Sequence, residues 1–581
     1  MSNLIHFRGA SEMPDISVSR GDMEWNKTGT WRTQRPFYEE KTPPCHAACP
    51  AGNDIVSFIL RMKEGDFVGA WKLLSEENPF PGICGRVCFH PCESKCNRGG
   101  FDEPVAIHAL ERFAADFASK LPQRVEGIRA KRSDRIAVIG SGPAGMSCAY
   151  HLARLRYPVT VFESLPFTGG MLRIGIPPYR LPRDVLDREM AQIEAMGVEI
   201  RKNISVGADL RTEDLKHFRA IFLATGAHHS RELGIVGEEQ RGVWSGLTLL
   251  KKFNLKKRVA LGERIVIIGG GNTAIDVARV AIRLGKKPLV LYRRSREEMP
   301  AFEEEIIEGL DEGVEIRYLV NPIRIQFKGK RKGLECLRME LGGKDETGRR
   351  RPVEIPDSKF FVKADSVVIA AGEQIDVSLL PRGITQKEGI VLTQPGGWTG
   401  IGGVFAGGDL ASTERTVAHA IGSGKKAAIA IDSYLQGNEV EDVLRRLAVG
   451  NGSSVSVSPY LHPERKVRSP RLIAFEDLNT DYFEHSARGK ERRLPLPDRF
   501  KRGREVTFAL SEESALQESK RCFSCGTCDA CEICYLYCPD ASILRIDEGL
   551  SRKVDYDYCK GCGICFAECP RGVVSLEEEA R

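Results

Sequence analysis

Two runs near the C-terminal end gather thiols at fixed steps. Cys528, Cys531, Cys534 and Cys538 before Pro539 read C-x2-C-x2-C-x3-C-P, and Cys559, Cys562, Cys565 and Cys569 before Pro570 repeat it. In this pattern each first trio holds one [4Fe–4S] cluster and each fourth cysteine crosses to the other. The expected sets are therefore Cys528, Cys531, Cys534 and Cys569 for one cluster, and Cys559, Cys562, Cys565 and Cys538 for the second. Zinc is the competing ligand reading, and the doubled spacing argues against it. Of the 18 cysteines, all except Cys148 and Cys336 lie between Cys45 and Cys96 or between Cys522 and Cys569. A disulfide scaffold would not cluster them at the two ends, so ligation in a reducing compartment is the better reading.

A second chemistry is written in glycine. Gly140, Gly142 and Gly145 form G-x-G-x-x-G inside "RIAVIGSGPAGMSCAYHLARLRYPVTVFES", which reads strand, turn, helix, strand. The first glycine permits the turn, the second lets a pyrophosphate approach the backbone, and the third lets helix and strand pack closely. The phosphates then meet unpaired N–H groups at the helix start. Glu163 ends the second strand, placed to accept from ribose hydroxyls. "RIVIIGGGNTAIDVARVAIRLGKKPLVLYRR" repeats the plan with Gly269, Gly271 and Ala274, and puts Arg293 opposite Glu163. A carboxylate suits two hydroxyls and cations suit an extra phosphate. Arg293, Arg294 and Arg296 therefore favour NADPH over NADH at the second site, against a reading of the same arginines as a solvated surface run. Two dinucleotide sites on one chain suggest a flavin, FAD, beside a nicotinamide. The strand "GVFAGGDL" ends in Gly408 and Asp409, which can place a carboxylate against a flavin ribityl chain, and "ERTVAHAIGSG", with Thr416, can start a helix beneath it.

These sites need elements to hold them. The chain has 581 residues, 42% hydrophobic content and a formal charge of +6. That is enough for several cores, and the small charge speaks for an acidic protein partner more than for nucleic acid. No apolar run reaches the roughly 18 residues of a membrane span. The start "MSNLIHFRGASEMPD" lacks the order of a signal peptide, so a cytoplasmic location is expected. The expected organisation is an N-terminal arm over 1–40 and an α-helical iron–sulfur domain over 41–130. A flavin lobe follows over 131–257, then a nicotinamide lobe over 258–362 and the rest of the flavin lobe over 363–440. Residues 441–515, basic and poor in apolar periodicity, read as a linker that wraps another domain, and 516–581 as a two-cluster ferredoxin-like domain. The fold class is α/β: two interleaved Rossmann-like FAD and NAD(P) lobes, preceded by the helical iron–sulfur domain and followed by a bacterial ferredoxin-like α+β domain.

The stretches "GSGPAG", "GGMLRIGIPPYRLP", "ATGA", "GGGNTAIDVAR", "YRRSREEMP" and "GGDL" resemble the small (β) subunit of NADPH-dependent glutamate synthase and its relatives. Those relatives include the flavin half of dihydropyrimidine dehydrogenase and the large subunit of NADH-dependent ferredoxin:NADP oxidoreductase. The resemblance covers about residues 40–440. It implies a nicotinamide lobe inserted in the FAD lobe, and it adds Pro143, Ala144, Gly170, Met171, Arg173, Thr225, Gly226, Asn272 and Thr273 to the cofactor-binding residues. It also implies cluster ligands in the head, where "CHAACPAGNDI" and "NPFPGICGRVCFHPCESKC" match Cys49, Cys88, Cys92 and Cys96 to one full set. The family's further C-x2-C before Cys45 is replaced here by "FYEEKTPP". Cys45, Cys84 and Glu111, the last where some relatives use a Gln or Glu ligand, remain for a second head cluster. Cys522 and Cys525, in "ALQESKRCFSCG", either complete that cluster from the tail or are spare thiols beside the ferredoxin fold.

Hydride passes from nicotinamide to flavin without a protein acid or nucleophile, so no catalytic side chain is expected. Disulfide reductases of this fold need a redox C-x-x-C, and the nicotinamide lobe has only Cys336. The expected activity is electron transfer between NADPH (or NADH) and ferredoxin or another oxidoreductase subunit of a multi-subunit complex. It runs through FAD, two tail clusters and one or two head clusters, with no nucleic-acid role. The alternatives are the small subunit of glutamate synthase proper and a non-catalytic scaffold.

Overall fold

A computed structural model describes residues 27–122, 127–327, 332–346, 348–465, 467–501, 504–546 and 552–579. Residues 1–26 of the expected arm lie outside that set. The chain divides into two units, one made of Thr42–Leu472 with His485–Cys522, the other of Met1–Lys41, Ile473–Glu484 and Phe523–Arg581.

The larger unit is built on two five-stranded parallel sheets. The first has the order Val404–Ala406, Ala220–Leu223, Ile136–Ile139, Val159–Glu163, Glu199–Lys202, and the second Glu315–Tyr318, Lys287–Tyr292, Arg264–Ile268, Ser366–Ile369, Val243–Ser245. In each, the glycine-turn strand sits at the centre. Ile136–Ile139 is buried at every position, as a parallel strand covered on both faces must be. Each such aliphatic side chain contributes about 1.5–3 kcal/mol by leaving water. The second sheet takes strands from both sides of 258–362, so this lobe reaches from Val243 to Ile369. A four-stranded antiparallel sheet of Val320–Gln326, Gly333–Lys344, Arg350–Glu354 and Phe360–Lys363 extends it. Helix Val417–Leu435 returns to the flavin lobe against Pro143–Arg154, so close that a Cβ on Gly424 would collide with the Ala144 carbonyl.

The helical head packs on the same unit. Asp54 and Asp66 cap helices Ile55–Lys63 and Phe67–Glu77 by accepting from Ser57 N (3.2 Å) and Gly69 N (2.8 Å). Phe67 meets Phe113 and Phe117 edge-on, both at 5.0 Å. Glu189 of the flavin lobe accepts from Gly82 N and Ile83 N at the start of helix Pro81–Val87, tying lobe to head.

Residues 485–522 run over this unit and are held mainly by charge. Glu505 pairs with Arg86 and Arg112 (both 2.8 Å), and Arg493 pairs with Glu308 of the nicotinamide lobe (3.2 Å). Val506 is buried in that lobe's core and its N–H donates to Tyr179 O. Helix Glu512–Lys520 follows, its Glu518 accepting from Ala106 N of the head (2.7 Å).

In the smaller unit, strand Gln34–Tyr38 pairs antiparallel with Val574–Glu578, and Ile543–Arg545 with Arg552–Val554. Two one-turn helices, Ile533–Leu536 and Ile564–Ala567, each follow a left-handed residue, Glu532 (φ 67) and Gly563 (φ 79). The two cysteine runs thus share one local geometry.

Candidate functional site

One cavity of 1180 Å³ in the larger unit is lined by both glycine loops. On the flavin side it meets Gly140, Gly142, Pro143, Ala144, Glu163, Gly170, Met171, Thr225, Gly226, Gly408, Asp409 and Thr416, and on the nicotinamide side Gly269, Gly271, Asn272, Thr273, Arg293 and Arg294. Gly145, Ala274 and Arg173 do not line it. Gly145 presses the helix onto the strand, where a Cβ would strike the Gly140 carbonyl, and Ala274 occupies the equivalent place. Arg173 is engaged by Asp187 and donates to Thr168 O (2.6 Å).

The backbone is shaped for two pyrophosphates. Gly140 has φ 105 and Gly269 φ 148, and a Cβ on either would run into a strand-end carbonyl, of Ala224 or Ala370. A Cβ on Gly142 or Gly271 would meet nothing within 4 Å, so the second glycine of each loop faces open space. Helices Pro143–Arg154 and Asn272–Arg283 begin there with no side-chain cap, leaving N–H groups for an anion.

Polar groups on the cavity wall differ between the halves. Glu163 is fixed by Ser141 N (3.0 Å) and Leu165 N (2.8 Å), which aim an acceptor at the cavity. Thr225 Oγ1 is buried without a partner, as a hydroxyl kept for a ligand would be. Burial pushes Asp409 up to about 6, with Glu373 adding and Arg415 opposing. Arg293 is exposed on the cavity wall, and its pKa is lowered by partial desolvation and by the charges of Arg294, Arg231 and Arg349. Arg231 and Arg349 line the cavity too, so this corner is a cluster of cations suited to a phosphate. Arg294, by contrast, is bound to Asp345 Oδ2 (2.6 Å) and Arg350 O (2.8 Å), and Arg296 to Glu303. Of the arginine run, Arg293 and Arg294 both line the cavity, and Arg294 is held there by Asp345 and Arg350.

The head's cysteine loop reaches this cavity through Val87 and Phe89, and none of its thiols lines it. Cys49 and Cys92 are buried and Cys88 and Cys96 half-buried. Burial raises all four thiols, those of Cys49 and Cys96 against backbone N–H donation, and neighbouring thiolates raise Cys92 further. His90 N also donates to Cys88 Sγ (3.3 Å). Closely packed thiols with N–H donors fit an iron–sulfur cluster, whose positive irons would stabilise the thiolates. Glu111 is buried, its Oε1 accepting from Asn53 and Asn78 (both 3.2 Å), and burial pushes it up to about 8. Its charge acts on Cys49, Cys84 and Cys88. Cys522 ends the tail helix within the buried cluster that includes Cys45, and it is an electrostatic neighbour of Cys96. Cys525 belongs to the smaller unit, and its reading as a ligand rests on sequence.

In the smaller unit, Cys534 is influenced by Cys531 and Cys569, and Cys528 by Cys534 and Cys531. Cys559 is influenced by Cys538, and Cys565, pushed up to about 12 chiefly by burial, by Cys559, Cys562 and Cys538 among others. Cys534 acts on Cys565 as well, so these neighbours bring the cysteines of the two runs together, and their division into two crossed sets of four rests on the sequence. Cys531 and Cys562 are exposed. Cys148 and Cys336 are buried and border no cavity described above.

Sequence reasoning missed Ser141 and Arg415, which lie inside stretches it singled out, and Arg231, Arg349 and Glu373, which lie away from the glycine loops. It also missed Val87 and Phe89, which bring the head's cysteine loop to the cavity wall. The interrupted chain of aromatic and aliphatic residues among the cysteines was the one available signal.

Comparison with known proteins gives three family matches. Residues 134–424 match the description pyridine nucleotide-disulphide oxidoreductase, residues 33–122 dihydropyrimidine dehydrogenase domain II with a 4Fe-4S cluster, and residues 552–575 a 4Fe-4S binding domain. The chain is 37% identical to the NADP(+)-dependent formate dehydrogenase subunit beta of Moorella thermoacetica, over 85% of this chain and 71% of that one. It is 34% identical to the NADPH-Fe(3+) oxidoreductase subunit beta of Geobacter sulfurreducens, over 84% and 76%. It is 33% identical to the glutamate synthase [NADPH] small chain of Escherichia coli, over 68% and 89%.

Proposed function

The chain belongs to the pyridine nucleotide-disulphide oxidoreductase family, and from that premise we propose that it is the NADPH-side wiring of a multi-subunit oxidoreductase. It is an NADPH-dependent oxidoreductase subunit with an FAD-type redox domain and 4Fe-4S domains. The observation that carries the proposal is the single cavity shared by two dinucleotide loops and a cysteine loop.

FAD when bound supplies the conversion of a two-electron hydride into single electrons. The chain's own residues place the groups. Gly140, Gly142 and the start of Pro143–Arg154 would hold the flavin pyrophosphate, Glu163 a ribose, and Asp409 and Thr225 the remaining polar edge. Gly269, Gly271, Asn272 and Thr273 would hold the NADPH pyrophosphate, and Arg293, with Arg231 and Arg349 beside it, the 2′-phosphate. Cys49, Cys88, Cys92 and Cys96 would hold the first cluster. The crossed sets of the smaller unit would hold two more, and Cys45 with Glu111, Cys84 or Cys522 a further one.

Electrons would leave through the smaller unit to ferredoxin or another oxidoreductase subunit. Its acidic residues outnumber its basic ones, and Leu536, Tyr537 and Phe566 stand exposed on the two one-turn helices beside the cluster cysteines. A partner with an apolar centre and basic rim suits that face. The glutamate synthase reading is second. It is supported by the small-chain relative but matched over less of this chain than the formate dehydrogenase and iron-oxidoreductase subunits. The intact pair of nucleotide loops speaks against a scaffold.

Anaerobic purification followed by rapid mixing with NADPH tests the proposal. One flavin and at least about twelve irons per chain are expected for three clusters, with flavin absorbance lost on mixing. Colourless, iron-poor protein that is well folded would end it.

A further inference from the structure

Helix Pro81–Val87 stops at Cys88, and the next side chain, Phe89, forms part of the cavity wall. Its ring lies between two others. Phe302 of the nicotinamide lobe stacks on it at 5.5 Å with planes 9° apart, and His419 of the flavin-lobe helix at 5.9 Å and 15°. Neither neighbour is loose. Phe302 N–H donates to Asn272 Oδ1 (3.0 Å), and Ala301 N donates to Gly270 O (3.1 Å), which joins this segment to the nicotinamide glycine loop. His419 Nδ1 is 2.8 Å from Thr416 Oγ1, and Thr416 itself lines the cavity. His90 faces Glu304 at 3.7 Å, so the same loop meets the nicotinamide lobe twice. One ring thus takes its register from both lobes and passes it, through a single peptide bond, to a cysteine assigned to the first cluster.

We propose that Phe89 is the positioning residue for electron exit from the flavin cavity to the cluster of Cys49, Cys88, Cys92 and Cys96. The proposal rests on the reading of function above. Electron transfer falls steeply with distance and with gaps in the medium. The stacked ring fills the cavity wall next to Cys88 in the chain, and a void or water there would not. The overall step balances: NADPH loses two electrons as hydride, its proton goes to water, and two clusters gain one electron each.

The test uses the full chain, anaerobically loaded, in four forms: parent, Phe89→Ala, Phe89→Tyr and Phe302→Ala. After mixing with NADPH, flavin absorbance and the freeze-quenched electron-spin signal of reduced cluster are followed on the same sample. The readout is the ratio of the cluster-reduction rate to the flavin-bleaching rate. The proposal expects that ratio to fall about tenfold or more in Phe89→Ala, to stay within about threefold of parent in Phe89→Tyr, and to fall by a smaller factor in Phe302→Ala. An unchanged ratio in Phe89→Ala with full iron content would overturn it. If Phe89→Ala loses iron, Phe302→Ala, on a different segment from the cysteine loop, decides: a lowered ratio supports the proposal and an unchanged one overturns it. A parent flavin that NADPH does not bleach would instead overturn the functional reading, and this proposal with it.

Discussion

The two nucleotide loops have the same backbone and opposite walls. Gly140 and Gly269 both sit at positive φ against a strand-end carbonyl, and Gly142 and Gly271 both face open space. At the end of the next strand the halves part. Glu163 is anchored by two backbone N–H groups, a fixed acceptor, whereas Arg293 stands beside the like charges of Arg294, Arg231 and Arg349. The difference teaches that the shared loop grips pyrophosphate without choosing the dinucleotide, and that choice lies in one residue and its electrostatic company.

The largest effect should come from breaking one loop and not the other. Gly140→Val forces a Cβ into the Ala224 carbonyl at a φ that side chains avoid, so bound flavin should fall below about a tenth of parent by absorbance. Gly269→Val should keep its flavin yet lose bleaching by NADPH. Loss of flavin from both variants would mean that the halves are not independent.

Exchanging the wall comes next. Arg293→Glu should lower kcat/KM for NADPH by about 10- to 100-fold, the worth of a charge-assisted hydrogen bond, while NADH changes by about threefold or less. Equal losses with both nucleotides would remove the phosphate role. Arg294→Ala sharpens the same point from the other side. Its ion pair to Asp345 is largely buried, so stability to urea should drop by about 2 kcal/mol while the NADPH to NADH ratio holds. The smallest effect belongs to Thr225→Val, which removes a buried hydroxyl that has no partner in the protein. Flavin affinity, measured by reconstitution of the flavin-free protein, should weaken by about three- to tenfold, with no loss of stability in the flavin-free form.

Much of this was legible because it is local. A glycine turn between a buried strand and a helix is written in consecutive residues, and so are the crossed cysteine runs. The fates of Arg293 and Arg294 were not. They are adjacent in sequence, and only the arrival of Asp345 and Arg350 from a distant hairpin takes Arg294 out of play. Residues 441–515 read as poor in apolar periodicity, and within them Glu505 and Arg493 hold the chain by ion pairs, which leave no period in the sequence. Phe89 is the extreme case: one phenylalanine among cysteines, whose meaning depends on Phe302 and His419 from two other segments.

The most direct measurement is an anaerobic titration of fully loaded protein with NADPH, followed by absorbance to its end point. A conduit takes up more than one equivalent, because electrons pass beyond the flavin, and cluster absorbance bleaches along with flavin absorbance. An end point at one equivalent, with the clusters still oxidised at full iron content, would contradict the account.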